Sequence, residues 1–136
     1  MNYDGELVNN LRVLVIDDDT DYTDLMQMRL ELWGHDVTVV HNWLSAMMLM
    51  GKSEFDLMVV DVETPTGNGL TACSDLNQNP KIAATPKVFI TGRSDTETVQ
   101  RCRDLDANYI HKGSRVFDEL QKLVDKIGDR SEISTS

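Results

Sequence analysis

Residues Leu11-Arg12-Val13-Leu14-Val15-Ile16 carry five apolar side chains in six and run straight into Asp17-Asp18-Asp19. Successive side chains of a strand point to opposite faces, so a nearly unbroken apolar run is the pattern of a strand covered on both sides. Short apolar runs recur at 37–40, 57–60 and 88–90, with a weaker one at 107–110. Helical periodicity fills the gaps. Tyr22, Leu25, Met26, Leu32 and Trp33 form one stripe, stopped by Gly34. Trp43, Ala46, Met47 and Met50 form a second, with Asn42 as N-cap and Gly51 as the stop. Leu70, Cys73 and Leu76 give a third and shorter stripe. Ser94-Asp95-Thr96-Glu97 has the capping-box spacing and opens a fourth helix through Val99 and Cys102. Val116, Phe117, Leu120, Leu123, Val124 and Ile127 form a fifth stripe.

Five strands alternating with five helices imply an α/β fold: a doubly wound, five-stranded parallel sheet with helices on both faces. Parallel strands need crossovers, and those crossovers are right-handed. The expected organisation is an N-terminal extension (1–10), one domain (11–127) and a polar tail or linker stub (128–136), since the chain turns polar after Ile127. The 136 residues suit a single domain.

Composition narrows the partners. Thirteen basic against 23 acidic residues leave a net charge of −10, the wrong sign for a surface that binds nucleic acid directly. No apolar run approaches the roughly 20 residues of a membrane span, and the N-terminus lacks the pattern of a secretory signal, so a cytoplasmic location is expected. Cys73 and Cys102 lie among apolar helix positions without a CxxC spacing, and read as small buried hydrophobes. His35, His41 and His111 form no metal-ligand pattern.

In doubly wound sheets the functional crevice lies beyond the carboxyl ends of the strands. Strand one ends in Asp17-Asp18-Asp19, strand three in Asp61, strand four in Thr91, and strand five near Lys112. Carboxylates, a hydroxyl and an ammonium thus converge on one rim. Clustered carboxylates repel unless a cation neutralises them. Hard oxygen donors with few protein contacts suit Mg²⁺, which shares phosphate oxygens readily. A carboxylate beside such an ion can attack phosphorus, while a metal, a lysine and a hydroxyl neutralise the transferring group. Asp19 fits the role of a helix N-cap better than that of a ligand.

These residues resemble those of the response regulator receiver domains of two-component signalling, the chemotaxis receiver among them. Val13-Leu14-Val15-Ile16-Asp17-Asp18-Asp19 is similar to the opening strand and acidic pair. Asp61 with Thr64-Pro65-Thr66-Gly67-Asn68-Gly69 resembles the phosphoacceptor and its loop, and Ile90-Thr91-Gly92 the switch threonine. Tyr109 and Lys112 match the switch aromatic and the site lysine. The resemblance implies a flavodoxin-like strand order, 2-1-3-4-5. It implies Mg²⁺ (or Mn²⁺) held by Asp17, Asp18, Asp61 and the backbone carbonyl of Glu63. Asp61 would be the nucleophile, and Thr91 and Lys112 would contact the phosphoryl oxygens. The donor would be a phosphohistidine on a sensor histidine kinase or histidine phosphotransfer domain. The readout would be the surface of the fourth helix, fifth strand and fifth helix, acting on an output domain or target and offering a homodimer contact. Glu63 and Arg93, each two residues past a site landmark, would tune the lifetime of the phosphoryl group. Such a protein is a switch, not a conventional enzyme.

The chain departs from the family pattern in places. Lys112-Gly113 replaces the usual Lys-Pro, which predicts a trans bond and a looser turn. Thr64-Pro65 and Asn68-Gly69 replace Met-Pro and Asp-Gly. Two other readings compete. Asp17-Asp18-Asp19 is similar to the DxD opening of haloacid-dehalogenase-type phosphatases, with Asp17 as nucleophile and Asp19 as acid/base; Asp21 fits that motif poorly, and Asp61 would have no role. The other is a phosphorylation-independent binding module on the same fold.

Overall fold

The computed structural model describes residues 10–61, 78, 80–92 and 96–135. Their elements run β1 (Arg12–Ile16), α1 (Thr20–Leu32), β2 (Asp36–Val40), α2 (Trp43–Met50), β3 (Leu57–Asp61), α3 (Pro80–Ala83), β4 (Lys87–Thr91), α4 (Thr96–Asp104), β5 (Asn108–His111) and α5 (Val116–Thr135). The strands form one sheet in the order β2-β1-β3-β4-β5, every pairing parallel. This is the expected 2-1-3-4-5 order. The stripe at Leu70, Cys73 and Leu76, the Ser94-Asp95 start of the capping box, and both Glu63 and Arg93 lie outside the described residues.

The period of two along each strand divides the core into two layers. Val13, Val15, Val59, Val88 and Ile90 face one side, where Met26 and Leu30 of α1 and Val116, Leu120 and Val124 of α5 cover them. Leu14, Ile16, Met58, Val60 and Phe89 face the other, under Ala46 and Met50 of α2, Ile82 of α3 and Cys102 of α4. β3 and β4 are buried along their whole length. They sit between neighbours on both edges and helices on both faces, so their carboxyl ends are held firmly.

Caps fix where the helices begin and end. Asp19 caps α1 by accepting the Tyr22 N–H at 3.2 Å, and Asn42 caps α2 by accepting the Ser45 N–H at 2.9 Å. Gly34, at φ 99°, supplies the left-handed residue after α1. Lys87 is buried at the start of β4, but its ammonium donates to the carbonyls of Thr85 at 3.0 Å and Ala83 at 3.5 Å, satisfying the end of α3.

Three expectations change. In α1 the buried residues are Thr23, Met26 and Leu30, whereas Leu25 and Leu32 of the expected stripe are 38% and 77% exposed. In α2, Ala46 and Met50 are buried, but Met47 is exposed. Both helices carry apolar residues on more than one face, so periodicity alone does not choose between them. Finally, α5 does not stop at Ile127 but continues to Thr135, so residues 128–135 of the expected polar tail are helical. Charged residues such as Asp129, Arg130 and Glu132 suit an extended helix as well as a loose tail.

Candidate functional site

The ends of β1, β3, β4 and β5 meet at one rim. Asp17 follows β1; its N–H donates to the carbonyl of Val40 at 3.2 Å, tying the end of β1 to that of β2. Asp61 ends β3 beside Ile90 of β4. Thr91 ends β4 and is fully buried, and its carbonyl accepts the Lys112 N–H at 2.8 Å. The lysine that follows β5 is thereby fixed to the end of β4.

Asp17 and Asp61 are 2% and 8% exposed, and Lys112 Nζ lies 3.2 Å from Asp61 Oδ2. The ammonium also sits 4.2 Å above the ring of Tyr22, in the first turn of α1. Asp17 Oδ1 accepts the Asp19 N–H at 3.0 Å, while its buried Oδ2 has no hydrogen-bond partner among the described residues. Burial raises the Asp17 pKa to about 6. The charge of Asp61 pushes the same way, and the Asp19 N–H and the Lys112 ammonium oppose it. The exposed His41 lies alongside, its Nδ1 2.9 Å from the Asp17 carbonyl.

A buried carboxylate oxygen without a donor, next to a second carboxylate that repels it, is what a hard divalent cation would satisfy. The donor set therefore fits Mg²⁺. Asp18 is half-buried beside the pair, but no cluster of three or more His, Cys, Asp or Glu among the described residues has ligating geometry. The pair itself is Asp17 and Asp61, and Glu63 falls outside the described residues.

Thr91 and Tyr109 share one face of the sheet. Thr91 is two residues beyond Phe89, which faces the α4 layer and pairs with Tyr109. Tyr109 is half-buried against that layer, as is Leu105.

The family model of the response regulator receiver domain matches residues 13–125. The chain belongs to this family. It is 31% identical over 80 residues to the DNA-binding dual master transcriptional regulator RpaA of Synechocystis, covering 59% of this chain and 33% of that one. It spans about a third of the length of the curated relatives it matches. Its fold matches a two-component response regulator from Clostridium difficile with a TM-score of 0.80 at 20% identity, covering 90% of this chain and 98% of that one. The response regulator TrrA of Thermotoga maritima, solved with Mg²⁺-BeF and also in complex with the histidine kinase ThkA, matches with a TM-score of 0.73 at 26% identity. That match covers 86% of this chain and 98% or 97% of TrrA.

The structure thus brings together Asp17, Asp61 and Lys112, with Thr91 at the next strand end, and places Tyr109 on the α4 face. Asp19 caps α1 through Oδ1, and Asp61, which the phosphatase reading leaves without a role, pairs with Lys112. Tyr22 and His41 were not anticipated at the site. Tyr22 read as one more member of an apolar stripe. Its position was nonetheless legible, because an N-cap at Asp19 puts Tyr22 in the helix's first turn, next to the strand ends. No helix among the described residues is long and apolar enough to cross a membrane.

Proposed function

We propose that this receiver domain accepts a phosphoryl group on Asp61 and converts its presence into a change of the α4-β5-α5 surface. The observation that carries the reading is the 3.2 Å contact of Lys112 Nζ with Asp61 Oδ2 beside the buried Asp17 carboxyl, whose Oδ2 has no partner among the described residues. A carboxylate oxygen of Asp61 forms the new bond to phosphorus as the bond to the donor's leaving atom breaks. Lys112 meets charge developing on the phosphoryl oxygens, and the Thr91 hydroxyl is the second donor. Mg²⁺ or Mn²⁺, held by Asp17, Asp18, Asp61 and the Glu63 carbonyl, would neutralise the remaining charge. The donor is a phosphohistidine of a sensor histidine kinase or a histidine phosphotransfer domain, in keeping with the kinase complex of TrrA.

When Thr91 turns toward the phosphoryl group, it vacates space on the α4 face, and Tyr109 moves inward. Glu63 and Arg93 tune the lifetime of the modification. The changed surface then acts on an output domain or separate target, or pairs with a second receiver. The setting is the cytoplasm, where such donors reside. The domain works as a switch, not as a turnover enzyme. Incubation with acetyl phosphate tests this: intact mass should show one added phosphoryl group with Mg²⁺ and none with EDTA. Multiple turnover of a generic phosphate ester would instead favour a phosphatase. An α4-β5-α5 surface unmoved by beryllofluoride would favour a constitutive binding module.

A further inference from the structure

Lys112 is followed by Gly113, which places no restriction on the turn into α5; a Cβ there would only reach ordinary contact with the His111 ring at 3.4 Å. Lysine is also a flexible four-carbon stem ending in a compact charge. Something other than the local backbone must therefore hold the ammonium. Among the described residues, two side chains are recorded against it: the Asp61 carboxylate at 3.2 Å and the face of the Tyr22 ring, 4.2 Å from centroid to Nζ. The ring itself is firmly placed. Tyr22 N–H is bonded to the Asp19 cap, and the side chain packs against the α1/α5 core layer. Its hydroxyl is buried with no hydrogen-bond partner among the described residues. Burial, with Asp17, Asp61 and Asp19 nearby, lifts the phenol to about 12, so the ring meets the lysine as a neutral π face.

We propose that Tyr22 is a positioning residue for phosphoryl transfer: its ring face holds the Lys112 ammonium beside Asp61. The inference rests on the receiver reading above and adds a residue to it. During transfer the ammonium must leave the Asp61 oxygen for the incoming phosphoryl group. The Asp61 contact cannot hold it through that exchange, but the Tyr22 contact can. The ring fixes the pivot and limits the orientations the lysine must search, which is the gain from pre-orientation. A cation over an aromatic face depends on the ring quadrupole, not only on ring shape.

The test uses the full chain with Tyr22→Phe, Tyr22→Leu, and a series of increasingly fluorinated phenylalanines at position 22. Fluorination weakens the π face while nearly preserving shape. The first readout is the NMR shift of the Lys112 ε-methylene in metal-free protein, assigned by its loss in Lys112→Arg. The second is the rate of phosphorylation by acetyl phosphate at saturating Mg²⁺. The expected result is an upfield ε-methylene shift that survives in Tyr22→Phe and collapses in Tyr22→Leu. The rate should stay within about twofold in Tyr22→Phe and fall stepwise with fluorination, by about three- to tenfold overall. A flat rate across the fluorinated series in phosphorylatable protein overturns the role of Tyr22, even if Tyr22→Leu fails to fold. Absence of phosphorylation in the wild type overturns the receiver reading instead.

Discussion

Replacing Asp17 with asparagine should make the metal-free protein more stable while removing its response to Mg²⁺. Asp17 is 2% exposed, its Oδ2 lacks a donor among the described residues, and Asp61 repels it. Its pKa rises from 3.8 to about 6 on folding. At 1.36 kcal/mol per pH unit, that difference corresponds to roughly 3 kcal/mol. A carboxyl whose folded pKa is raised binds its proton more tightly in the native state, so folding is favoured by acid at this position. The favourable contribution is complete below 3.8, declines as pH rises, and is gone above about 6. Asparagine keeps the shape without the charge and can donate toward Asp61. In urea denaturation with EDTA, Asp17→Asn should therefore exceed the wild type by up to roughly 3 kcal/mol at pH 7.5, and the gap should close toward pH 4. Added Mg²⁺ should stabilise the wild type, by about 2.7 kcal/mol at a hundredfold excess over Kd, and leave the variant unmoved. An asparagine variant no more stable than the wild type at pH 7.5, or a gap independent of pH, would refute the placement of Asp17 as a carboxylate held for a cation.

Other consequences can be measured separately. Asp19→Ala removes the α1 cap and should cost about 1 kcal/mol in urea denaturation; a loss far beyond the roughly 2 kcal/mol ceiling for caps would give Asp19 another task. Thr91→Ala should leave phosphorylation at Asp61 detectable but uncouple it from Tyr109. Beryllofluoride would then shift NMR signals at the acidic rim without shifting Val99 to Tyr109, and an undiminished response there would remove Thr91 from the relay. Glu63→Ala, Arg93→Ala and their double mutant should each speed loss of the phosphoryl group, with non-additive rates if the two side chains pair. Unchanged decay in all three would remove them as a gate.

The candidate site was readable because a doubly wound sheet converts order along the chain into position in space. Any residue that ends a buried strand must reach the same rim, so Asp17, Asp61, Thr91 and Lys112 could be grouped without knowing a single contact. The helices were harder. With Leu and Met at many positions of α1 and α2, several faces look apolar, and packing against Val13, Val15 and their neighbours decided for Thr23, Met26 and Leu30. A buried threonine cannot be seen by counting hydrophobic residues. The continuation of α5 through the polar segment was hidden for the opposite reason: beyond Ile127 the amphipathic signal stops, although the helix does not. Lys87 reads as a surface charge, yet lies buried because its long stem lets the ammonium reach two carbonyls. Tyr22 was visible as a residue but not as a partner of Lys112, since a cation over a ring leaves no spacing rule between residues so far apart in the chain.

The identity of the phosphorylated side chain tests the central claim most directly. Protein treated with acetyl phosphate and Mg²⁺, reduced with borohydride and digested, converts an aspartyl phosphate to homoserine at the modified position. Homoserine is expected at position 61, with no conversion at Asp17, Asp18 or Asp19. Conversion at Asp17, or phosphorylation of Asp61→Asn at the wild-type rate, would contradict it.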